Sequence, residues 1–437
     1  MPVTYFAADF LYSENQTLLN YALVINNGVI VDVLPVASLQ NTPIQHFSDC
    51  AIIPGFVNSH NHSFQSLLKG FCDDTDFFTW RDQGLYKYSQ SITKDELYIG
   101  ALFAFGEMLK NGITTVCDFF YINDQANDNA QAIIQAAKDL GIRITLARTM
   151  YDWDGAPVRY RETVDQAVQN TLALMDLYRE DPMVSVIPAP HSLHGASTAM
   201  IEAGAALAKA QNTMWHMHVA EGQYERQMIQ EKTGKSPIGF LDHLGILGDA
   251  MVGIHCVWLD DADITLMAQS GARVSYNPSS NMFLGDGITP IKELVEAGVC
   301  ISLGTDGGCS NNRASIIEEM RMTTLLQKVK WTDAAVLSAE ETFLMGTAHG
   351  GDNLGQKLGK LAPSYAADFV VVNLNDLSMQ PRGHFGKHIV YSAQPAALQA
   401  VYVSGNCVMQ AGQLKNVDET DIVRRVQAVM DRWGVAP

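Results

Sequence analysis

Between residues 51 and 305 the chain repeats one pattern eight times: a short apolar run, then a longer stretch with helical character. The runs are IIPGFVN, GITTVCDFF, IRITLART, VSVIPAP, TMWHMHV, MVGIHCV, ARVSYNP and VCISLGT. Parallel strands buried on both faces read as near-continuous apolar runs, and each needs a helical crossover to reach its neighbour. Two of the intervening stretches, Asp95 to Asn111 and Asp261 to Ser270, stop at Gly112 and Gly271, the residue type that commonly ends a helix. Eight βα units are the number that closes a barrel. The expected fold class is therefore α/β, a (β/α)8 TIM barrel over residues 54–358.

The ends of the chain carry a different pattern. YALVINNGVIVDVLP places Asn26-Asn27-Gly28 between two apolar segments, as a hairpin requires. LGKLAPSYAADFVVVNL and ALQAVYVSGNCVMQAGQL are β-rich again, and DETDIVRRVQAVMDRW reads as an amphipathic helix. Residues 1–53 and 359–437 are expected to form one small composite β-sandwich beside the barrel, with a terminal helix. A net charge of -18 without any Lys/Arg block repels polyanions, which excludes nucleic acid and anionic membrane as partners. No apolar run approaches a membrane span, and MPVTYFAADF lacks the charged start of a secretory signal, so a cytoplasmic location is expected. The seven cysteines are scattered and never spaced CxxC, which indicates neither a disulfide framework nor a thiolate metal site.

Chemistry concentrates where the eight runs end. The first ends in His60 and His62, the second in Asp118 and Tyr121, and the fourth in His191 and His194. The fifth ends in His216, His218 and Glu221, the sixth in His255 and the eighth in Asp306. In a closed barrel these ends converge on one face, the face that carries active sites. Strand side chains alternate, so His60 and His62 point the same way and can share an ion. The spacing of His218 and Glu221 allows the imidazole to bind metal while the carboxylate overhangs the open position, and Asp306 offers a hard oxygen. Three imidazoles and a carboxylate suit one Zn2+ ion per chain, and are compatible with Fe2+ or Mn2+. His216 reads as a packing residue.

PGFVNSHNH, HMHVAE, GIHCVWL, NPSSNMFLGDGITPIKELVEAGV and SLGTDGGCSNN resemble the successive strand motifs of the amidohydrolase superfamily, in its mononuclear cytosine-deaminase-like branch. LGKLAPSYAADFVVV is similar to that family's closing sandwich motif, so the resemblance spans essentially the whole chain. It implies His60, His62, His218 and Asp306 as zinc ligands, Glu221 as proton shuttle, His255 as the residue that orients the nucleophile, and Asp306 as an additional proton acceptor. It further implies hydrolytic attack on a C=N carbon of a small molecule, release of ammonia, and a homo-oligomer, dimer or tetramer. No carboxylated-lysine bridge is discernible, which favours a single metal. The other zinc deaminase design, with HxE and PCxxC elements, is absent. A metal-free binding protein of this architecture would be expected to lack one or more of these positions, and all are present.

Two substrate classes compete. The first half resembles the formimidoylglutamate deiminases: HNHSFQ with Gln65, FFTWRDQ with Arg81, FFYIND with Tyr121 and APHSLHG with His191. The resemblance implies Gln65 and His191 at the imino group, with Arg81 and Tyr121 at the acid portion. His194 stands where that family has an arginine, so a bidentate carboxylate fork is lost. The primary expectation is an iminohydrolase of an amidine with an altered acid-binding site. The second half, in HCVWL, NPSSNMFLGDG and GTDGGCSNN, resembles the S-adenosylhomocysteine and methylthioadenosine deaminases. Those enzymes pair a tryptophan with an acidic residue to recognise ribose. Trp80 is present here, but GLYKYSQS contains no Asp or Glu. The alternative is thus deamination of a purine, an adenosine-type nucleoside, a pterin or a triazine ring.

Overall fold

The computed structural model describes residues 3–435. All eight apolar runs form strands: Phe56–Asn61, Ile113–Phe120, Arg143–Met150, Val184–Pro190, Trp215–Val219, Met251–His255, Arg273–Tyr276 and Ile301–Leu303. The first four and the last four form two parallel ladders. Helices lie between them, among them Lys94–Lys110 and Asp261–Ser270. The helix Asp261–Ser270 ends at Gly271 with φ of 78°, a left-handed stop that costs glycine little.

The ladders close into a barrel at two seams, both on the rim where the polar residues gather. The His218 amide donates to the His191 carbonyl at 3.0 Å, joining strands four and five. The Asp306 amide donates to the His60 carbonyl at 3.0 Å, joining strands eight and one. Closure of the barrel and assembly of the site therefore use the same residues. Gly304 is required at the second seam, because a Cβ there would lie 2.4 Å from Asn277 Oδ1 and 2.8 Å from His60 Cβ.

The two chain ends meet in one nine-stranded sheet, so the composite sandwich is a single sheet wrapped around its own core. The ends join where Gln45–Pro54 pairs antiparallel with Phe369–Asn373. Pairing of Gln45–Pro54 with Thr4–Ser13 is parallel. The predicted hairpin forms from Tyr21–Asn26 and Val29–Pro35, with Asn27 and Gly28 both at positive φ (49° and 76°), the twist that two-residue hairpins favour. Strand Phe369–Asn373 shows how the sheet sits on the barrel: Phe369 and Val371 face the small core, while Val370 and Val372 join the large one. Arg143, on the third barrel strand, donates to both oxygens of Asp368 immediately before this strand, a buried pairing that fixes sheet to barrel. The terminal helix, Glu419–Trp433, lies on helix Lys94–Lys110 with Ile422 and Val429 buried. Among the described residues no helix is long and apolar enough to cross a membrane, and all seven cysteines are free.

Candidate active site

At the rim, ligand atoms of His60, His62 and His218 lie within 4.8 Å of one another, and so do those of His60, His255 and Asp306. Asp306 Oδ1 is 3.3 Å from His60 Nε2 and 3.4 Å from His62 Nε2. The ring orientations are set from behind. His62 Nδ1 lies 2.6 Å from the Phe119 carbonyl and His218 Nδ1 lies 2.8 Å from the His191 carbonyl. A carbonyl only accepts, so in both rings Nδ1 carries the proton and the Nε2 lone pair is free on the other side. His255 Nδ1 sits 2.8 Å from Asn281 Oδ1. His60 has no hydrogen-bond partner for either ring nitrogen although the ring is fully buried. Burial pushes His60 down to about 3 and also lowers His62 and His218, which keeps the imidazoles neutral. Neutral rings with converging, unpartnered nitrogens are the form that binds a transition metal, so the residues fit a Zn2+-type ion.

The carboxylates differ in environment. Asp306 accepts from the Gly307 amide at 2.7 Å and from Ser280 Oγ at 2.6 Å. Burial opposes its ionisation, but the close approach of His60 at 3.3 Å, with His255 and His62 beside it, holds it well below the usual carboxylate range. Glu221 lies 3.5 Å from His255 Nε2. Burial, with the charges of Asp306 and Glu225, pushes its carboxyl well above the ordinary range and favours the protonated acid. Two carboxyl groups pushed in opposite directions within one site are the arrangement expected of a base and an acid.

The backbone is strained at the same places. Ala220, His255 and Asp306 have φ of 51°, 70° and 60°, the left-handed region that L-residues seldom adopt. A Cβ on Gly307 would fall 1.7 Å from Gln65 Oε1, so any larger residue there would displace the Gln65 side chain. Asp118 grips the first loop. Its buried carboxyl accepts from Asn61 Nδ2 at 2.9 Å, from the Ser63 amide at 2.6 Å and from Ser63 Oγ at 2.8 Å. Those contacts flank His62 on both sides. Asp118→Ala is expected to weaken metal affinity by about 10- to 100-fold, read by competition with a chromophoric chelator, with partial recovery in Asp118→Asn.

A cavity of about 60 Å3 adjoins the cluster, and Gln65, Arg81, Tyr121, His191 and His194 all line it, together with His62, His218, Glu221, His255 and Asp306. Sequence reasoning located these five without showing their partners. Gln65 Nε2 donates to Tyr121 Oη at 2.6 Å. Arg81 donates to its neighbour Asp82 at 2.7 Å and stacks on Phe78, Tyr86 and Trp153. His194 Nδ1 lies 3.9 Å from Glu225, whose side chain is fully buried. His216 faces away, with its nitrogens toward Cys117 and the Asn353 carbonyl, as a packing residue should. Sequence reasoning missed Tyr86, Tyr151 and Tyr160, which also line the cavity, and Ser280 and Asn281, which orient Asp306 and His255. The NPSSN segment carrying the last two was legible as a motif, but the isolated tyrosines, two of them at the ends of short helices, carry no periodic signal.

The model of the amidohydrolase family matches residues 51–408. A 5-methylthioadenosine/S-adenosylhomocysteine deaminase of Syntrophomonas wolfei is 32% identical over 381 residues, covering 86% of this chain and 85% of that protein. A 5'-deoxyadenosine deaminase of Methanothermobacter thermautotrophicus is 31% identical over 408 residues, covering 92% and 93%. The crystal structure of an adenosine deaminase from Xanthomonas campestris with bound zinc superimposes with a TM-score of 0.92 at 28% identity, covering 99% of each chain. With the family model spanning most of the barrel and the rim built as described, the chain belongs to the amidohydrolase family and is a hydrolase acting on carbon–nitrogen bonds.

Proposed function

We propose that the protein is a metal-dependent hydrolytic deaminase of a neutral aromatic ring amine, with the amino-purine of adenosine-type compounds as the first class to test. The observation that carries this reading is the cavity lining. Rings of Phe77, Trp80, Tyr86, Tyr121, Tyr151 and Tyr160 provide its walls, and Arg81, its one Arg or Lys among the described residues, is already paired with Asp82. Planar faces suit a planar ring. Formimidoylglutamate brings two carboxylates, whereas the cavity's single guanidinium, Arg81, has its Nε on Asp82 and its face on Phe78, Tyr86 and Trp153, which leaves only its terminal nitrogens for one of them. The relatives whose names specify adenosine-type nucleosides favour the same side of the choice over the amidine reading.

When bound, a zinc ion would supply Lewis acidity that makes water nucleophilic near neutral pH. His60, His62, His218 and Asp306 are the residues that would hold it. Glu221, protonated by its surroundings, donates to the ring nitrogen as the C=N carbon is attacked. Asp306 accepts a proton from the attacking water, and His255, 3.5 Å from Glu221 and 3.9 Å from Asp306, orients that oxygen and stabilises developing charge. On collapse Asp306 passes the water-derived proton to the departing amine and Glu221 takes the proton of the adduct's hydroxyl, so that ammonia leaves, the carbonyl forms and both carboxyl groups return to their starting states. The net charge of -18 supports a small-molecule substrate over nucleic acid or an anionic membrane, and the cytoplasmic location and homo-oligomeric state are part of this proposal.

The test is ammonia release by zinc-loaded protein from adenosine, 5'-deoxyadenosine, methylthioadenosine, adenine, guanine, a pterin, an aminotriazine and formimidoyl-glutamate. Turnover of one or more ring amines is the expected result. Turnover of formimidoyl-glutamate alone would overturn the reading and return Arg81 and Tyr121 to the role of acid anchors.

A further inference from the structure

Asp306 is anchored through its carboxylate and through the peptide before it. Ser280 Oγ donates to Oδ2 at 2.6 Å. The Asp306 amide donates to the His60 carbonyl at 3.0 Å, and the other end of the same peptide, the Thr305 carbonyl, accepts from Asn311 Nδ2 at 2.8 Å. With both ends of that peptide gripped, the left-handed φ of 60° at Asp306 is held against relaxation. Ser280 and Asn311 belong to two separate short helices, Pro278–Phe283 and Gly308–Asn311. One buried side chain joins them. Glu319, 1% exposed on helix Ile316–Trp331, accepts from the Ser279 amide at 3.0 Å through Oε2 and from Asn311 Nδ2 at 2.9 Å through Oε1. The Ser279 amide lies in the first turn of its helix, where Asn277 makes no side-chain capping bond, so Glu319 supplies the missing acceptor from another element.

We infer that Glu319 is a positioning residue for the metal site: it holds Asp306 in place through Ser280 on one side and through Asn311 and the Thr305 carbonyl on the other. The inference rests on the reading of Asp306 as a metal ligand. Glu319 does not line the cavity, so it acts only through these neighbours. Neither of its two partners carries a positive charge, and burial pushes its carboxyl up to about 8. An apolar side chain or an amide would be less costly to bury in the same space. Neither would serve both contacts. Each partner is an N–H donor, and only a carboxylate presents an acceptor oxygen in both directions, whereas a glutamine would turn its NH2 group against one of them. A costly group is thus kept at the point where the two short helices that fix Asp306 are tied together.

The experiment titrates the metal-free full chain with Zn2+ against a chromophoric chelator, for the parent, Glu319→Gln, Ser280→Ala and the double variant, with circular dichroism to confirm folding. It is run at about pH 9, above the value to which burial pushes Glu319, so that both of its oxygens accept. Glu319→Gln is expected to weaken Zn2+ affinity by about 10- to 100-fold. The double variant is expected to fall short of the product of the two single effects by about threefold or more, because Glu319 acts through the Ser280 contact. Should Glu319→Gln fail to fold, Asn311→Ala reads the same link from its other end and is expected to weaken affinity in the same direction. A Glu319→Gln protein, or in its place an Asn311→Ala protein, that binds Zn2+ within about twofold of the parent would overturn the inference, and so would single effects that simply multiply. Parent protein that binds no Zn2+ would remove the metal-ligand reading itself, which tells the two failures apart.

Discussion

Asp306→Ala and His218→Ala are each expected to lose bound metal and turnover together. Asp306 closes the cluster from the eighth strand, with Oδ1 3.3 Å from His60 Nε2, and its amide forms one of the two barrel seams. Removing the carboxylate leaves the buried imidazoles without the only hard ligand in the group. Loss of the several kcal/mol of charge stabilisation supplied by a catalytic metal corresponds to roughly a 10^4-fold fall in kcat/KM. The measurement is metal content by mass spectrometry alongside ammonia release, with circular dichroism to confirm that the barrel still forms. Full activity in Asp306→Ala would show that the mechanism is wrong.

Glu221→Gln should separate what those variants remove together. The amide is nearly isosteric with the acid, so metal content is expected to match the parent. The glutamine cannot give and take a proton, and kcat should drop by about 10^2- to 10^4-fold, the usual contribution of a positioned general acid. Glu221 points at His255 Nε2 rather than at the histidine trio, which is why its loss spares the metal. A variant that lost metal as well would move Glu221 from proton shuttle to ligand.

Both expectations rest on residues readable in one dimension, and the reason is geometric. Strand side chains alternate, so the spacing of His60 and His62 alone puts them on one side. Barrel strands run parallel, so every C-terminal end meets at one rim, and His218, His255 and Asp306 could be placed beside that pair without coordinates. The hairpin at Asn27-Gly28 was equally legible, because positive φ at both turn residues selects those residue types. The sheet at the chain ends was harder to read in full. Its nine strands include the parallel pairing of Thr4–Ser13 with Gln45–Pro54, which no local pattern specifies.

Substrate preference was the least legible part. Arg81 is an anchor for a carboxylate when read along the chain, yet in the folded protein it is held by Asp82 and stacked on three rings. Tyr151 lies in a loop and Tyr160 ends the short helix Val158–Tyr160, neither with a periodic signal, and only folding brings them into one cavity with Phe77 and Trp80.

By itself, the sequence determined the barrel, the metal-binding rim and the reaction class, because each depends on periodicity and on residue type at strand ends. Only the tertiary structure decided which rings wall the cavity and how much room it leaves. Those properties come from contacts between segments tens or hundreds of residues apart, such as Trp80 with Cys309 and Tyr86 with Tyr151, and no local spacing encodes them.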